Sequence, residues 1–436
     1  MRRRLNLALA LLLAILAAPH LAHALQTAAP QHPPYYTLPP DKLLKAKALS
    51  HDFNIIHFAY EGWSIVCWLL LLGLGAVARL RDRAVRLTGI YWFQGPALLA
   101  MLLAVRTVLN LPIAIYAHHL TLVYGLSVQG WASWAGDVGK SLGVNIVLDS
   151  LIAAVLFWCI RRWPRRWWLA FWIALVPIVF TGAFAAPLVI DPLFNHFEPL
   201  QTVAPQLADS LQAVIRRAGV DIPPSHMFVM RASDKYTTLN AYVTGLGASK
   251  RVVVWDTTLK APTDIVQITF AHELGHYVLH HVLRGIALAL PGLLLAFYLA
   301  YRILHWLLAR YGGRWRIASQ QDWGAIAVLL LLLSAGTFLT EPIANTISRG
   351  VEHDADVFGQ EAVHGIVPDP QATAVRSFQI LGEASLDDPD PSPFVEFWTD
   401  THPSTTHRAE FAAHYNPWAA GADPHQPGQQ PKYFKK

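Results

Sequence analysis

Residues 272–300 read HELGHYVLHHVLRGIALALPGLLLAFYLA. An H-E-x-x-H motif, His272-Glu273-Leu274-Gly275-His276, runs into a long apolar stretch that begins just after Arg284. On a helix, His272 and His276 stand at i and i+4, one above the other on one face. Two imidazoles at that spacing can bind one tetrahedral metal ion. Glu273 lies beside them, where a carboxylate can take a proton from metal-bound water. The chain holds 20 His, so an accidental motif is the rival reading. The rest of the sequence has to supply the rest of a site.

The 436 residues are 54% hydrophobic and only 14% charged. Soluble domains carry about 25% charged residues, so this composition indicates a membrane protein with a soluble portion. The net charge is +5. The arginines cluster in short segments between apolar runs, which fits charge flanking a bilayer and not a nucleic-acid footprint. The partner implied is the lipid bilayer, with no nucleic acid; nothing in the sequence sets the oligomeric state. Cys67 and Cys159 both lie in apolar stretches and are expected to be unpaired.

Residues 1–24 open with Arg2-Arg3-Arg4, continue with an apolar run and end in Ala22-His23-Ala24. This is a signal peptide or a first transmembrane helix. Further spans are expected near Trp63–Ala78, Ile90–Tyr116, Gly143–Ile160, Trp167–Ile190, Gly285–Leu308 and Trp323–Thr340, each approaching the roughly 20 residues that cross the hydrocarbon. That makes six spans, or seven with the first segment. Arg79, Arg81, Arg83 and Arg86, then Arg161, Arg162, Arg165 and Arg166, then Arg310, Arg314 and Arg316 fall on one side by alternation. The positive-inside rule makes that side cytoplasmic. The H-E-x-x-H region and everything after 345 face the other side, which in the inner membrane of a bacterium is the periplasm.

The chain divides accordingly. An N-terminal membrane domain covers 25–190, and a first soluble part with the H-E-x-x-H helix covers 191–283. A transmembrane hairpin covers 284–344, a second soluble part covers 345–415, and 416–436, rich in Pro, Gly, Gln and Ala, reads as a mobile tail. Within the soluble parts, Leu200–Ala218 reads as an amphipathic helix. Ala241–Thr244 and Lys250–Asp256 read as strands around a Gly-rich turn. Pro262-Thr263-Asp264 opens a helix, with Thr263 or Asp264 as cap, that runs through His281. Residues 345–365 form a further helical stretch.

A catalytic zinc site has three protein ligands and one water. The hairpin leaves the membrane surface just after His276 and returns to the same surface just before 345. The helix that starts there is delivered beside the H-E-x-x-H helix. It carries Glu352 and Asp356 on one face at i, i+4, a carboxylate ligand followed one turn later by a carboxylate able to accept an N–H from a ligand His. Glu352 is the leading third ligand, with His353 and Glu341 as rivals; a solvated charged helix is the bland alternative.

His272-Glu273-Leu274-Gly275-His276, a membrane hairpin and Ser348-Arg349-xx-Glu352-xx-Ala355-Asp356 in that order resemble the type I CAAX prenyl endopeptidases and their bacterial relatives. These are integral-membrane zinc metalloproteases of the gluzincin kind. Asp191-Pro192-Leu193-Phe194-Asn195 is similar to a family block. So is Asn240-Ala241-Tyr242-Val243-Thr244-Gly245-Leu246-Gly247 followed by Lys250-Arg251-Val252-Val253, and so is Thr401-His402-Pro403-Ser404 followed by Arg408. The resemblance spans roughly residues 60–412. It implies a mostly α fold: a polytopic helical bundle around a chamber, with an α+β gluzincin-type protease domain split by the hairpin. It implies one Zn2+ per chain, held by His272, His276 and Glu352, and a polypeptide substrate. Glu273 would be general base and acid, Asp356 would orient a ligand His, Asn240 would bind the substrate backbone, and His402 and Arg408 would stabilise the oxyanion or orient the catalytic groups. The hairpin strand 250–256 is expected to pair with an extended substrate. The resemblance carries the proteolytic activity in protein maturation or envelope quality control, but not the CAAX substrate.

Arg106, Asn110, Asn145 and Asp149 interrupt apolar spans. They line a wet chamber, with Arg106 and Asp149 paired, or they serve helix packing. His280 and His281 read as ordinary interface residues. Two other functions stay in view: a proteolytically inactive scaffold or chaperone with the same fold, and a transporter. Neither accounts for the His-Glu-His spacing together with an intact Glu273.

Overall fold

A computed structural model describes residues 35–245, 249–419 and 430–434. The signal-like segment 1–24 lies outside the described residues. Helix α1 spans Pro40–Gly73 and is followed by the short amphipathic α2, Ala76–Leu87. Three more long helices follow: α3, Tyr91–Val123; α4, Trp131–Arg162; and α5, Trp167–Ala185, which continues through a π turn to Phe194. Six helices among the described residues are long and apolar enough to cross a membrane.

The first of them differs from the expected Trp63–Ala78. Helix α1 begins more than 20 residues earlier and ends at Gly73, where the chain turns into α2. The reason is a polar stripe. Ser50, Asn54, His57 and Glu61 recur at helical spacing and depress the apolar content of the first half. Ser50 and Asn54 line a cavity shared with the H-E-x-x-H helix, and His57 Nε2 lies 3.2 Å from Glu341 Oε2. At 1.5 Å per residue, α1 is about 50 Å long, well beyond the ~30 Å of hydrocarbon. Its excess reaches the soluble domain, where Lys42 Nζ meets Glu383 Oε1 at 2.5 Å.

The soluble domain begins with β1, Phe197–Pro199, and the amphipathic α6, Pro205–Arg217. The expected helix from Leu200 is divided at Ala204, because Pro205 cannot donate within a continuing helix and starts a new one. Strands β2 (Met227–Met230), β3 (Ala241–Thr244) and β4 (Arg251–Trp255) complete a four-stranded sheet of order β1-β2-β4-β3. Strand β4 is central: parallel to β2 and antiparallel to β3, with Val252, Val253 and Val254 fully buried. Both its edges are taken, so it cannot pair with a substrate strand. The expectation for 250–256 is corrected on that ground. Strand β3 has a strand neighbour on one side only.

Helix α7, Thr263–Val278, carries the H-E-x-x-H residues and lays Val266, Ile268, Phe270, Ala271 and Leu274 into the core beneath the sheet. It does not run through His281 as expected. It stops at Val278, His280 adopts a left-handed φ of 55°, and a new helix α8 starts at His281 and continues to Trp315. Helix α9, Ala325–Ala362, returns as one unbroken rod that merges the expected span with the expected soluble helix. Glu352 sits 27 residues into it, about 40 Å from its start, which clears the hydrocarbon. Helices α10 (Pro370–Ser385), α11 (Pro393–Thr399) and α12 (Thr405–His414) close the domain.

The basic segments meet at the far end of the bundle. Arg81 bonds Asp322 at 2.6 Å, Arg316 bonds Asp82 at 2.9 Å, and Gln320 donates to the Pro164 carbonyl at 2.8 Å. The alternation read from the sequence therefore holds as geometry: arginines at one end, H-E-x-x-H at the other. Cys67 and Cys159 are buried and unpaired. Among the described residues Arg106 and Asp149 come into no salt-bridge contact, and the Arg106 Nε is buried without a hydrogen-bond partner.

Residues 430–434 depart from the mobile tail expected over 416–436. The Glu361 carboxylate, fully buried, accepts the backbone N–H groups of Lys432, Tyr433 and Phe434 at 2.5, 2.7 and 3.0 Å, together with the Tyr415 hydroxyl. Tyr433 and Phe434 pack on Phe358, and Lys432 pairs with Asp354 at 2.6 Å.

Candidate metal centre

Helices α7 and α9 cross at two glycines. A β-carbon on Gly359 would stand 2.9 Å from the His272 backbone nitrogen, and one on Gly275 would stand 3.1 Å from Phe358. This close approach brings Glu352 to the imidazoles. His272 Nε2 lies 3.2 Å from His276 Nε2 and 3.2 Å from Glu352 Oε2, and His276 Nε2 lies 3.5 Å from the same oxygen. Four-coordinate zinc with bonds of about 2.0–2.1 Å places its ligand atoms about 3.3–3.4 Å apart, the edge of the tetrahedron. The three separations match that edge. Glu352 Oε2 is buried and, among the described residues, accepts no aligned hydrogen bond. Three imidazole nitrogens surround this oxygen within 3.5 Å, and a cation shared among them would satisfy it. The donor set, two imidazoles and one carboxylate, suits zinc.

The two rival ligands are occupied elsewhere. Glu341 pairs with His57, and His353 packs edge-on against Phe411 with ring centroids 4.5 Å apart.

Around the three donors stand the remaining predicted residues. Glu273 Oε1 is 4.0 Å from His272 Nε2 and faces a cavity of about 660 Å³. Burial pushes its carboxyl above the ordinary carboxylate range, in the direction that suits a proton acceptor working near neutral pH. Asp356 Oδ1 lies 2.8 Å from His272 Nδ1. Arg408 grips the same carboxylate with both arms, Nε to Oδ2 at 2.9 Å and Nη2 to Oδ1 at 2.7 Å. Its guanidinium also stacks 4.7 Å over Phe378. Arg408, Asp356 and His272 therefore stand in sequence, the first link a two-armed hydrogen bond and the second a 2.8 Å contact in which His272 Nδ1 makes no aligned hydrogen bond among the described residues. Burial acts to lower the His272 pKa, but contacts with the Asp356 and Glu352 carboxylates outweigh it and raise the value to about 9.

His402 comes from the loop between α11 and α12. Its Nε2 is 3.1 Å from Glu352 Oε2, and its Nδ1 is 2.9 Å from the Thr401 hydroxyl. Asn240 lines the same cavity at the start of the free-edged β3. Its backbone is pinned from both sides, because its N–H donates to the Thr258 hydroxyl and its carbonyl accepts from that hydroxyl, each at 2.8 Å.

One neighbour of the site had no signal in the sequence. His281 Nδ1 lies 3.1 Å from His276 Nδ1. The pair is five residues apart, a spacing that puts side chains on different faces of a continuous helix, so only the break at His280 brings them together.

Two family models cover most of the chain. That of peptidase family M48 matches residues 201–416, and that described as the CAAX prenyl protease N-terminal, five membrane helices, matches 23–196. The uncharacterized metalloprotease YhfN of Bacillus subtilis is 30% identical over 383 residues, covering 88% of each chain. CAAX prenyl protease 1 of Saccharomyces cerevisiae is 29% identical over 196 residues, covering 44% of this chain and 42% of that one. The crystal structure of S. mikatae Ste24p superposes with a TM-score of 0.74 at 22% identity, covering 92% of this chain and 96% of the other, a likeness of fold. Taken with the helical architecture and the donor triad, these matches place the chain in the M48 peptidases, as a membrane metalloprotease of the CAAX prenyl protease family.

Proposed function

We propose that the chain is a zinc-dependent endopeptidase that hydrolyses peptide bonds at the membrane surface, with one zinc per chain. The observation that carries this reading is the set of three donor atoms at tetrahedral-edge separations with Glu273 beside them on the cavity wall. His272, His276 and Glu352 would hold the ion, which supplies Lewis-acid polarisation of the scissile carbonyl and makes water acidic enough to be deprotonated near neutral pH. Glu273 takes the proton from the attacking water and passes it to the leaving amine. His402 stands beside the donor triad with Nε2 3.1 Å from Glu352 Oε2, and an Nε2–H there would be available to the developing oxyanion. Asp356, held by both arms of Arg408, fixes the tautomer and direction of His272. Arg408 thus acts through Asp356.

The substrate lies extended along β3, whose free edge offers backbone hydrogen bonds, and Asn240 at its start contacts the substrate backbone. The chain sits in a bacterial inner membrane with the site on the periplasmic side, a reading supported by the basic segments gathered at the opposite end. The role is maturation or envelope quality control of polypeptides. Glu273→Gln is the test. It abolishes hydrolysis of an unfolded protein while zinc content stays at the wild-type level; full activity in that variant removes Glu273 from the mechanism. Reporter fusions in the Arg310–Arg316 segment and at the C-terminus check the orientation, and a cytoplasmic C-terminus overturns it.

A further inference from the structure

We infer that His281 is a positioning residue for the metal ligand His276, and that the left-handed joint at His280 exists to bring it there. The inference rests on the zinc reading above and goes beyond it. His276 and His281 meet through their Nδ1 atoms at 3.1 Å, with rings nearly perpendicular and centroids 5.1 Å apart. In a nitrogen–nitrogen hydrogen bond one partner donates and the other accepts. If His276 turns the lone pair of Nε2 toward Glu352 and His272, its Nδ1 must carry the hydrogen. His281 Nδ1 then accepts, and the His281 hydrogen sits on Nε2.

Two features show that the fold accepts a cost for this contact. His281 is 7% exposed, and its Nε2 is buried without a hydrogen-bond partner among the described residues. His280 holds φ 55° and ψ 37°, a conformation disfavoured for any residue with a β-carbon. A continuous helix would carry His281 away from His276, and a glycine at 280 would make the same turn without strain. The two imidazole ligands thus have different supports: His272 leans on a carboxylate, His276 on a neutral ring. His281 is also the first residue of the membrane leg α8, so the bearing of that leg is transmitted directly to a ligand.

The test uses the full chain in detergent, stripped of metal, with zinc affinity read by chelator competition and metal-free thermal stability read separately. His281→Phe removes the acceptor and keeps the bulk; zinc affinity is expected to fall about 10–100-fold, with the metal-free melting temperature unchanged. His281→Asn returns an oxygen acceptor at the Nδ1 position and is expected to recover affinity to within about threefold of wild type. His280→Gly preserves affinity, whereas His280→Val lowers it. Wild-type affinity in His281→Phe overturns the inference. So does an Asn variant as weak as Phe with both melting early, which marks a packing role. A wild-type chain that binds no zinc overturns the metal reading itself, and is told apart because no variant then differs.

Discussion

Asp356 joins stability and metal binding in one side chain, and two substitutions separate them. The Asp356 side chain is 7% exposed, and its carboxylate serves the Arg408 fork and touches His272 Nδ1. Asp356→Ala leaves a buried guanidinium without its anion. Breaking a buried ion pair by removing one partner costs about 3–5 kcal/mol. At roughly 2–4 °C per kcal/mol for a domain of this size, the metal-free protein should melt about 6–20 °C lower. Asp356→Asn keeps an oxygen for His272 and for one arm of Arg408, so its structural cost is smaller, about 1–2 kcal/mol. It removes the negative charge that makes His272 a better donor. Loss of such a supporting group lowers metal affinity about 10–100-fold, or about 1.4–2.7 kcal/mol. The assay is thermal unfolding of metal-free protein beside chelator competition for zinc. Asn is expected to lose affinity with little loss of melting temperature, and Ala to lose both. If Ala melts with wild type, or Asn binds zinc with wild-type affinity, the Arg408–Asp356–His272 chain does not support the site.

Gly359→Ala drives a methyl group into the His272 backbone, which cannot give way as a flexible side chain would. Overpacking of that kind costs about 1–3 kcal/mol, and because Glu352 rides on the displaced α9, zinc affinity should fall as well; unchanged zinc binding would show that the crossing does not set the site. Deleting residues 430–436 strips three N–H donors from the buried Glu361 carboxylate. That should lower stability by about 3 kcal/mol or more, read as a drop in melting temperature, and an unchanged melt would show the docking to be idle. Asn240→Ala should raise KM for a peptide about tenfold with zinc content unchanged, since Asn240 touches the cavity and no metal donor; a loss of zinc instead would assign it a structural part.

The hairpin logic was legible because it needs only span counting: a leg that leaves after His276 and returns before 345 must set Glu352 near the imidazoles. Choosing among Glu352, His353 and Glu341 required the resemblance, since spacing alone left them open. The extent of α1 was hidden because hydropathy averages over all faces of a helix. The stripe Ser50, Asn54, His57 and Glu61 was present as a period but lowered the very signal used to find spans. His281 was hidden for a different reason. Its contact depends on one backbone residue, His280, taking a left-handed conformation that composition does not announce. The substrate edge was misplaced because β-branched content marks a strand without saying whether it is central, and Val252, Val253 and Val254 are β-branched because β4 is buried between two neighbours. The tail's Pro-, Gly- and Gln-rich composition concealed a short terminal segment whose partner, Glu361, lies about 70 residues upstream.

The central claim is that zinc held by His272, His276 and Glu352 drives peptide-bond hydrolysis. The most direct measurement titrates zinc into metal-stripped protein while following both bound metal and hydrolysis of an unfolded protein. Activity is predicted to rise in proportion to bound zinc and to level off at one ion per chain, with Glu352→Ala failing to recover either quantity. Hydrolysis at the full rate in the stripped protein, or wild-type zinc binding by Glu352→Ala, would contradict the account.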